Sequence, residues 1–154
     1  GGDENIYNEV KYLFDIMGKN SILCGEIGAG QSAKICNNLL LASTMIAVGD
    51  SFNLGKKLGL DLNKLFEVIS SSSGSCWAVN SYCPIKGIGP VTPADNDYKG
   101  GFSSALMYKD LTLAMDAAIN SNTGLNYGHS TLEKFHKLVN DGKGQLDFSN
   151  IINE

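Results

Sequence analysis

The chain has few of the residues that build metal centres or disulfide frameworks. There are four cysteines, Cys24, Cys36, Cys76 and Cys83, and two histidines, His129 and His136. No two cysteines form a C-x-x-C pair, and the histidines lie far along the chain from them, so the spacing points to no metal site. Disulfide staples serve small secreted domains with thin cores. A chain of 154 residues with 43% hydrophobic content can bury a core without them. The cysteines therefore read as reduced packing residues of an intracellular protein. Basic clusters are also missing, and the net charge is −4. That balance argues against nucleic acid or an anionic membrane surface as the main partner. The longest apolar run, 39–48, is interrupted by Ser43 and Thr44 and falls short of the roughly 20 residues a bilayer needs. No signal or transit segment is legible at the acidic start. Repeats and low-complexity tracts are absent. Prolines number only three, and all stand in the glycine-rich stretch 84–101, which reads as a loop long enough for a lid or a subunit contact.

What is present is helical spacing. Asp3 can cap a helix that carries Ile6, Val10, Leu13, Phe14 and Met17 and stops at Gly18. The segment 21–24 is apolar and short, and reads as one strand. A lone helix and strand suggest the last α-β unit of a parallel sheet. A long helix follows over about residues 31–58, apolar on nearly all sides in its middle, as befits a buried central helix. Further helices are predicted over 62–71, as a short turn at 76–79, from Ser103 or Ser104 onward, over about 126–140, and as a last turn around Phe148, Ile151 and Ile152. The fold class is mainly α: a helical bundle around one long central helix, fed by the tail of an α/β domain.

Lys34 and Asn38 stand four apart on the long helix and share a face. Burial and the positive end of the helix dipole would both favour a neutral amine, the form that can take a proton. Asn38 can orient the lysine or a substrate hydroxyl. The alternative is a lysine that reaches out to solvent from the first turns. Gly25-x-x-Gly28-x-Gly30 departs from the G-x-G-x-x-G order and reads better as a tight turn into the helix than as a phosphate loop. Lys109, beside Asp110, is either a solvated charge or a site residue. Trp77 is core or the wall of a pocket. His129 and His136, with no acid at a telling spacing, read as surface residues.

Gly28-x-Gly30-x-x-x-Lys34-x-x-Asn37-Asn38 resembles the G-x-G-x-x-x-K-x-x-N-N signature of the β-hydroxyacid dehydrogenases. A second block, from Gly101-Phe102 through Met107-x-Lys109-Asp110-Leu111-x-Leu113-Ala114, resembles the cofactor-side helix of that family. Ser73-Gly74-Ser75-Cys76-Trp77 and Asn96-x-Tyr98-x-Gly100-Gly101-Phe102 resemble its 3-hydroxyisobutyrate branch. So does the pair Asn37-Asn38, where the phosphogluconate enzymes carry His-Asn.

The resemblance implies a C-terminal domain like that of 6-phosphogluconate dehydrogenase. Residues 1–27 would be the last α-β unit of the NAD-binding Rossmann domain, and 28–154 an all-helical substrate and dimerisation domain. It implies hydride transfer from 3-hydroxyisobutyrate to NAD, giving methylmalonate semialdehyde in valine breakdown. Lys34 would move the hydroxyl proton, with Asn38, Asn37 and Trp77 on the substrate. Lys109 and Phe102 would lie toward the cofactor. Dimers or tetramers would form through the helical domain. The compartment would be mitochondrial in a eukaryote and cytoplasmic otherwise. The family's dinucleotide fingerprint and S-G-G motif do not occur in these residues, which implies that the isolated chain does not turn over. Related readings are a tartronate or succinic semialdehyde reductase, or a non-enzymatic helical dimerisation domain.

Overall fold

The computed structural model describes residues 1–154. Its contacts divide the chain into two compact units, 1–37 and 38–154. The helix α2, Ala29–Lys57, runs through the division.

In the first unit, α1 spans Glu4–Met17. The Asp3 carboxylate accepts from the backbone N–H groups of Asn5 and Ile6 at 2.8 and 3.1 Å, satisfying two donors that the first turn leaves open. Gly18 closes the helix, its N–H donating to the carbonyl of Phe14. The predicted strand at 21–24 does not form. A strand exists through its ladder, and no second strand accompanies this segment, so it stays irregular. Its ties are of another kind: the Tyr7 hydroxyl donates to the carbonyl of Ser21 at 3.0 Å, and the Gly2 N–H to the carbonyl of Gly25 at 2.8 Å.

The second unit is helical. The part of α2 within it buries Ala42, Met45, Val48, Gly49, Phe52 and Gly55, a stripe at spacings of three and four. The expectation of a helix buried all round is corrected here. Leu40 and Leu54 stay 68% and 60% exposed, so one face only faces the core. The helix as a whole is long and apolar enough, by length and composition, to cross a membrane, unlike the run 39–48 taken alone. Its buried stripe is core to residues 38–154.

Asp61 caps α3, Leu62–Ser71, by accepting from Asn63 and Lys64. Leu65 of α3 lies where a Cβ on Gly55 would fall, 2.4 Å from Leu65 Cδ2. Glycine in a helix interior costs stability, and close packing of α3 on α2 accounts for it here. The short α4, Trp77–Asn80, buries Ala78 and Val79. The proline-bearing stretch is a loop with one 3-10 turn, Pro93–Asn96, closed by a reciprocal capping box between Thr92 and Asp95. Backbone N–H groups of Thr92 and Gly87 hold the Asp95 carboxyl below its ordinary range.

Ser103 caps α5, Ser104–Asn120. This helix packs against α6, Gly128–Leu138, through Met107, Leu111, Phe135 and Leu138. A wide turn, Val139–Lys143, and a final 3-10 turn, Phe148–Asn153, bring the chain back to the start of α5. One antiparallel bridge joins Ser103 to Asp147.

The packing reading of the cysteines holds for Cys83, which is buried, and less for Cys76, which is partly so. Cys24 and Cys36 are exposed; all four are free thiols. His129 is exposed as expected, yet it does have an acid at helical spacing, Glu133, at 3.4 Å.

Candidate functional site

Within residues 38–154 the candidate side chains fall into two constellations. The first centres on Asp110. This carboxylate sits mid-helix on α5 and is 3% exposed. Met107, Leu111 and Ala114, at i−3, i+1 and i+4, are buried on the same side of α5. Asn38 Nδ2 donates to Asp110 Oδ2 at 2.7 Å, and Lys109 Nζ lies 2.9 Å from Asp110 Oδ1. A buried carboxylate is costly unless it is paired and hydrogen-bonded, and these two partners meet that requirement. Lys109 is therefore more than a solvated charge. Its side chain is 54% exposed, so the ammonium is anchored on one side and open to solvent on the other.

Asn38 is half-buried, whereas Asn37 and Lys34 are exposed. The burial expected around Lys34 is not present in this chain. Lys34 stands four residues before Asn38 on the same helix, α2.

The second constellation is aromatic. Trp77 stacks on Tyr82 with ring centres 4.8 Å apart, and Tyr82 stacks on Phe148 at 5.6 Å. Phe102 meets Phe148 edge-on at 6.1 Å. Trp77 is 52% exposed, which overturns its reading as a core residue and leaves it as an outward aromatic surface. A cavity of about 390 Å³ beside the 73–76 stretch is lined by Ser73, Cys76 and Val79, with Thr44, Val48 and Ser51 from α2; Trp77 is not part of its wall.

Asp147 ties this group together from full burial. Its Oδ2 accepts from the Tyr82 hydroxyl at 2.9 Å and from the Phe102 N–H at 2.8 Å. Its Oδ1 accepts from the Ser149 N–H at 3.0 Å and hydroxyl at 2.5 Å. Burial, and then the charge of Asp147, push the Tyr82 phenol well above its ordinary value. Gly101 completes the clamp. It has φ +69°, and a Cβ there would fall 2.1 Å from Asp147 Oδ2. Only glycine fits both the left-handed backbone and the space.

Asp110, Asp147 and Tyr82 were missed by sequence reasoning. Asp110 had a signal: an acid placed at i+3 and i−4 from apolar residues of a helix, where a solvated charge would not be expected. Asp147 had only its position before the last turn predicted around Phe148, Ile151 and Ile152 as a signal.

Comparison with known proteins agrees with the two motif blocks. The family model described as "NAD-binding of NADP-dependent 3-hydroxyisobutyrate dehydrogenase" matches residues 28–154. The mitochondrial 3-hydroxyisobutyrate dehydrogenase of Drosophila melanogaster is 46% identical over 149 residues, which are 97% of this chain and 46% of that protein. The mitochondrial enzyme of Rattus norvegicus is 40% identical, over 98% of this chain and 45% of its own length. The solved 3-hydroxyisobutyrate dehydrogenase of Mycobacterium tuberculosis, titled with L-serine, is 44% identical with a TM-score of 0.94, covering 99% of this chain and 52% of that one. The chain thus spans about half the length of the curated relatives it matches. A Salmonella typhimurium structure, at 24% identity and TM-score 0.83, shares the fold.

Proposed function

Because the chain belongs to the 3-hydroxyisobutyrate dehydrogenase family, we propose that it is the lysine-bearing helical part of an enzyme that oxidises 3-hydroxyisobutyrate to methylmalonate semialdehyde with NAD. The observation that carries this reading is that buried Asp110 of α5 binds both Lys109 and Asn38, and that Asn38 lies on α2, the helix that also carries Lys34. An alcohol oxidation needs two transfers: the carbinol hydrogen leaves as hydride and the hydroxyl proton leaves to a base. NAD, when bound, supplies the hydride acceptor. Lys34 as the amine takes the hydroxyl proton, and returns it in the reverse reaction. Asn38 orients the hydroxyl beside it, with Asn37 a weaker contributor. Lys109 has three donors of which Asp110 takes one. That donor set fits an anion, either the substrate carboxylate or the cofactor. The backbone of Phe102 is pinned by Asp147, and the half-exposed Trp77 offers a flat apolar face to the substrate.

In this reading residues 1–27 are the last unit of a nucleotide-binding domain, and 28–154 a helical substrate and dimerisation domain bundled around α2. Homo-oligomers form through that bundle, and the compartment is mitochondrial in a eukaryotic source. The isolated chain should not turn over, since it holds no sheet to seat the pyrophosphate.

The test is a steady-state assay of the full-length protein with NAD and with NADP. The substrates are 3-hydroxyisobutyrate, glycerate and 4-hydroxybutyrate. The reading expects the highest kcat/KM with 3-hydroxyisobutyrate. A preference for either competitor would move the protein to a semialdehyde reductase of that substrate. No turnover with any would leave a helical dimerisation domain.

A further inference from the structure

Asp147 is fully buried, bears a charge and takes no step in the reaction above. We propose that the hydrogen bond from Tyr82 to Asp147 positions Trp77 as the wall that tells a 2-methyl 3-hydroxy acid from an unbranched one. The proposal rests on the dehydrogenase reading and deepens it. Tyr82 and Asp147 are then positioning residues that act through Trp77.

3-Hydroxyisobutyrate offers a site three groups to grip: a carboxylate, a hydroxyl and one methyl branch. Lys34, Asn37, Asn38 and Lys109 are polar and suit the first two. Trp77 is the candidate with a large apolar surface left open, 52% exposed, whereas Phe102 is half-buried. The indole is seated by its neighbour. Trp77 and Tyr82 stack with ring centres 4.8 Å apart and planes 19° from parallel, and Tyr82 also stacks on Phe148. Stacking sets the planes of rings but not their offset, since arrangements with centres about 4.5–7 Å apart are all favourable. A ring can therefore slide on its neighbour. The hydroxyl at the far end of the Tyr82 ring stops that slide by donating to Asp147 Oδ2 at 2.9 Å. Asp147 cannot follow a sliding ring. Its Oδ2 also holds the Phe102 N–H, and its Oδ1 holds the Ser149 N–H and hydroxyl. The bond also persists at working pH, because burial and then the charge of Asp147 keep the phenol protonated. Phe102 stands just before α5, the helix that bears Lys109. One carboxylate oxygen thus ties the Trp77 wall to the segment that leads into the anion-binding helix.

Full-length parent, Tyr82→Phe, Trp77→Ala and the double variant are assayed with NAD on 3-hydroxyisobutyrate and on 3-hydroxypropionate, which lacks the methyl. The readout is the preference, the ratio of the two kcat/KM values. Turnover of neither acid by the parent overturns the proposal together with the dehydrogenase reading. Turnover without a preference for the branched acid overturns the proposal alone. One methylene in an apolar pocket is worth about 10- to 200-fold in discrimination, and an open wall belongs at the low end, so Trp77→Ala should lower the preference about 10-fold. Tyr82→Phe removes a hydroxyl and no packing, and Asp147 keeps its other three donors, so the variant retains the fold. It should lower the preference roughly three- to tenfold through a higher KM for 3-hydroxyisobutyrate, with kcat and the KM for NAD within about twofold of the parent. In the double variant Tyr82→Phe should add less than about twofold to the Trp77→Ala loss, as expected of residues that act as one unit. A merely structural role would weaken both acids alike and leave the preference at the parent's value. That result, an unchanged preference in Trp77→Ala, or a further loss of preference in the double variant overturns the proposal.

Discussion

Helices α1 and α5 are close in length, 14 and 17 residues, and differ in what holds them. α1 buries no residue. Ile16 and Met17 are about 80% exposed, and the helix stands on its Asp3 cap and local hydrogen bonds. α5 buries six residues, Asp110 among them. The difference teaches where function can be written. A capped, periodic segment suffices to form a helix, but only a packed face can hold a carboxylate out of water and aim its partners. The polar candidates Lys109 and Asp110 accordingly sit on α5, and Asn38 on α2, the helix whose buried stripe shares the α5 core.

Removing the clamp at the aromatic cluster should break the packed region most severely. Asp147→Ala strands the Tyr82 hydroxyl, the Phe102 N–H and the Ser149 donors. A buried donor left without an acceptor costs about 1–3 kcal/mol; with Tyr82 and Phe102 only half-buried the low end applies to the four donors, and a total of about 4 kcal/mol is expected. Chemical denaturation of the full-length protein checks this. A midpoint shift equivalent to under about 1 kcal/mol, the worth of a single hydrogen bond, would show that the clamp does not hold the region together.

At α1 the effect should be smaller and local. Asp3→Ala removes one cap, worth about 1 kcal/mol. Amide exchange should quicken across 4–10, while protection of α5 and α6 stays as it was. Equal loss of protection in α5 would erase the contrast between the two helices.

The smallest effect should come from the ion-pair cluster on the final turn. Hydrogen bonds from Lys137, then Lys143, hold the Glu154 carboxyl below its ordinary range. A depressed carboxyl contributes stability above its unfolded value, near 4.5, and loses it as pH falls through the folded value. Glu154→Gln should therefore lower Tm slightly at pH 7, and the gap from the parent should close under acid. A gap that persists at pH 2 would mean that the charge is not its source.

Much of this was legible in the sequence where the signal is local. Asp3, Asp61 and Ser103 announce their helices by capping, and α3 falls where periodicity places it. The strand at 21–24 was not, because a strand depends on partners that an apolar segment does not specify by itself. The exposed side of α2 was misread because an all-round apolar composition does not say which faces meet a neighbour. Lys34, Asn38 and Lys109 could be picked from the motif. That Asp110 joins Asn38 and Lys109 could not, since those contacts bridge 72 residues of sequence in one case and a single step in the other. Asp147 escaped notice because its partners, Tyr82 and Phe102, are 65 and 45 residues away.

The central claim is that Lys34 moves the proton in a dehydrogenase of which this chain is the helical part. It is tested most directly by the kcat of full-length Lys34→Ala, with helix content confirming the fold. General acid-base catalysis by one positioned group is worth about 10²–10⁴-fold, and a fall in that range is expected with NAD affinity nearly unchanged. Lys34→Arg should fail as well, since a guanidinium stays protonated at working pH. A Lys34→Ala rate within about threefold of the parent, far short of the general acid-base range, would contradict the account.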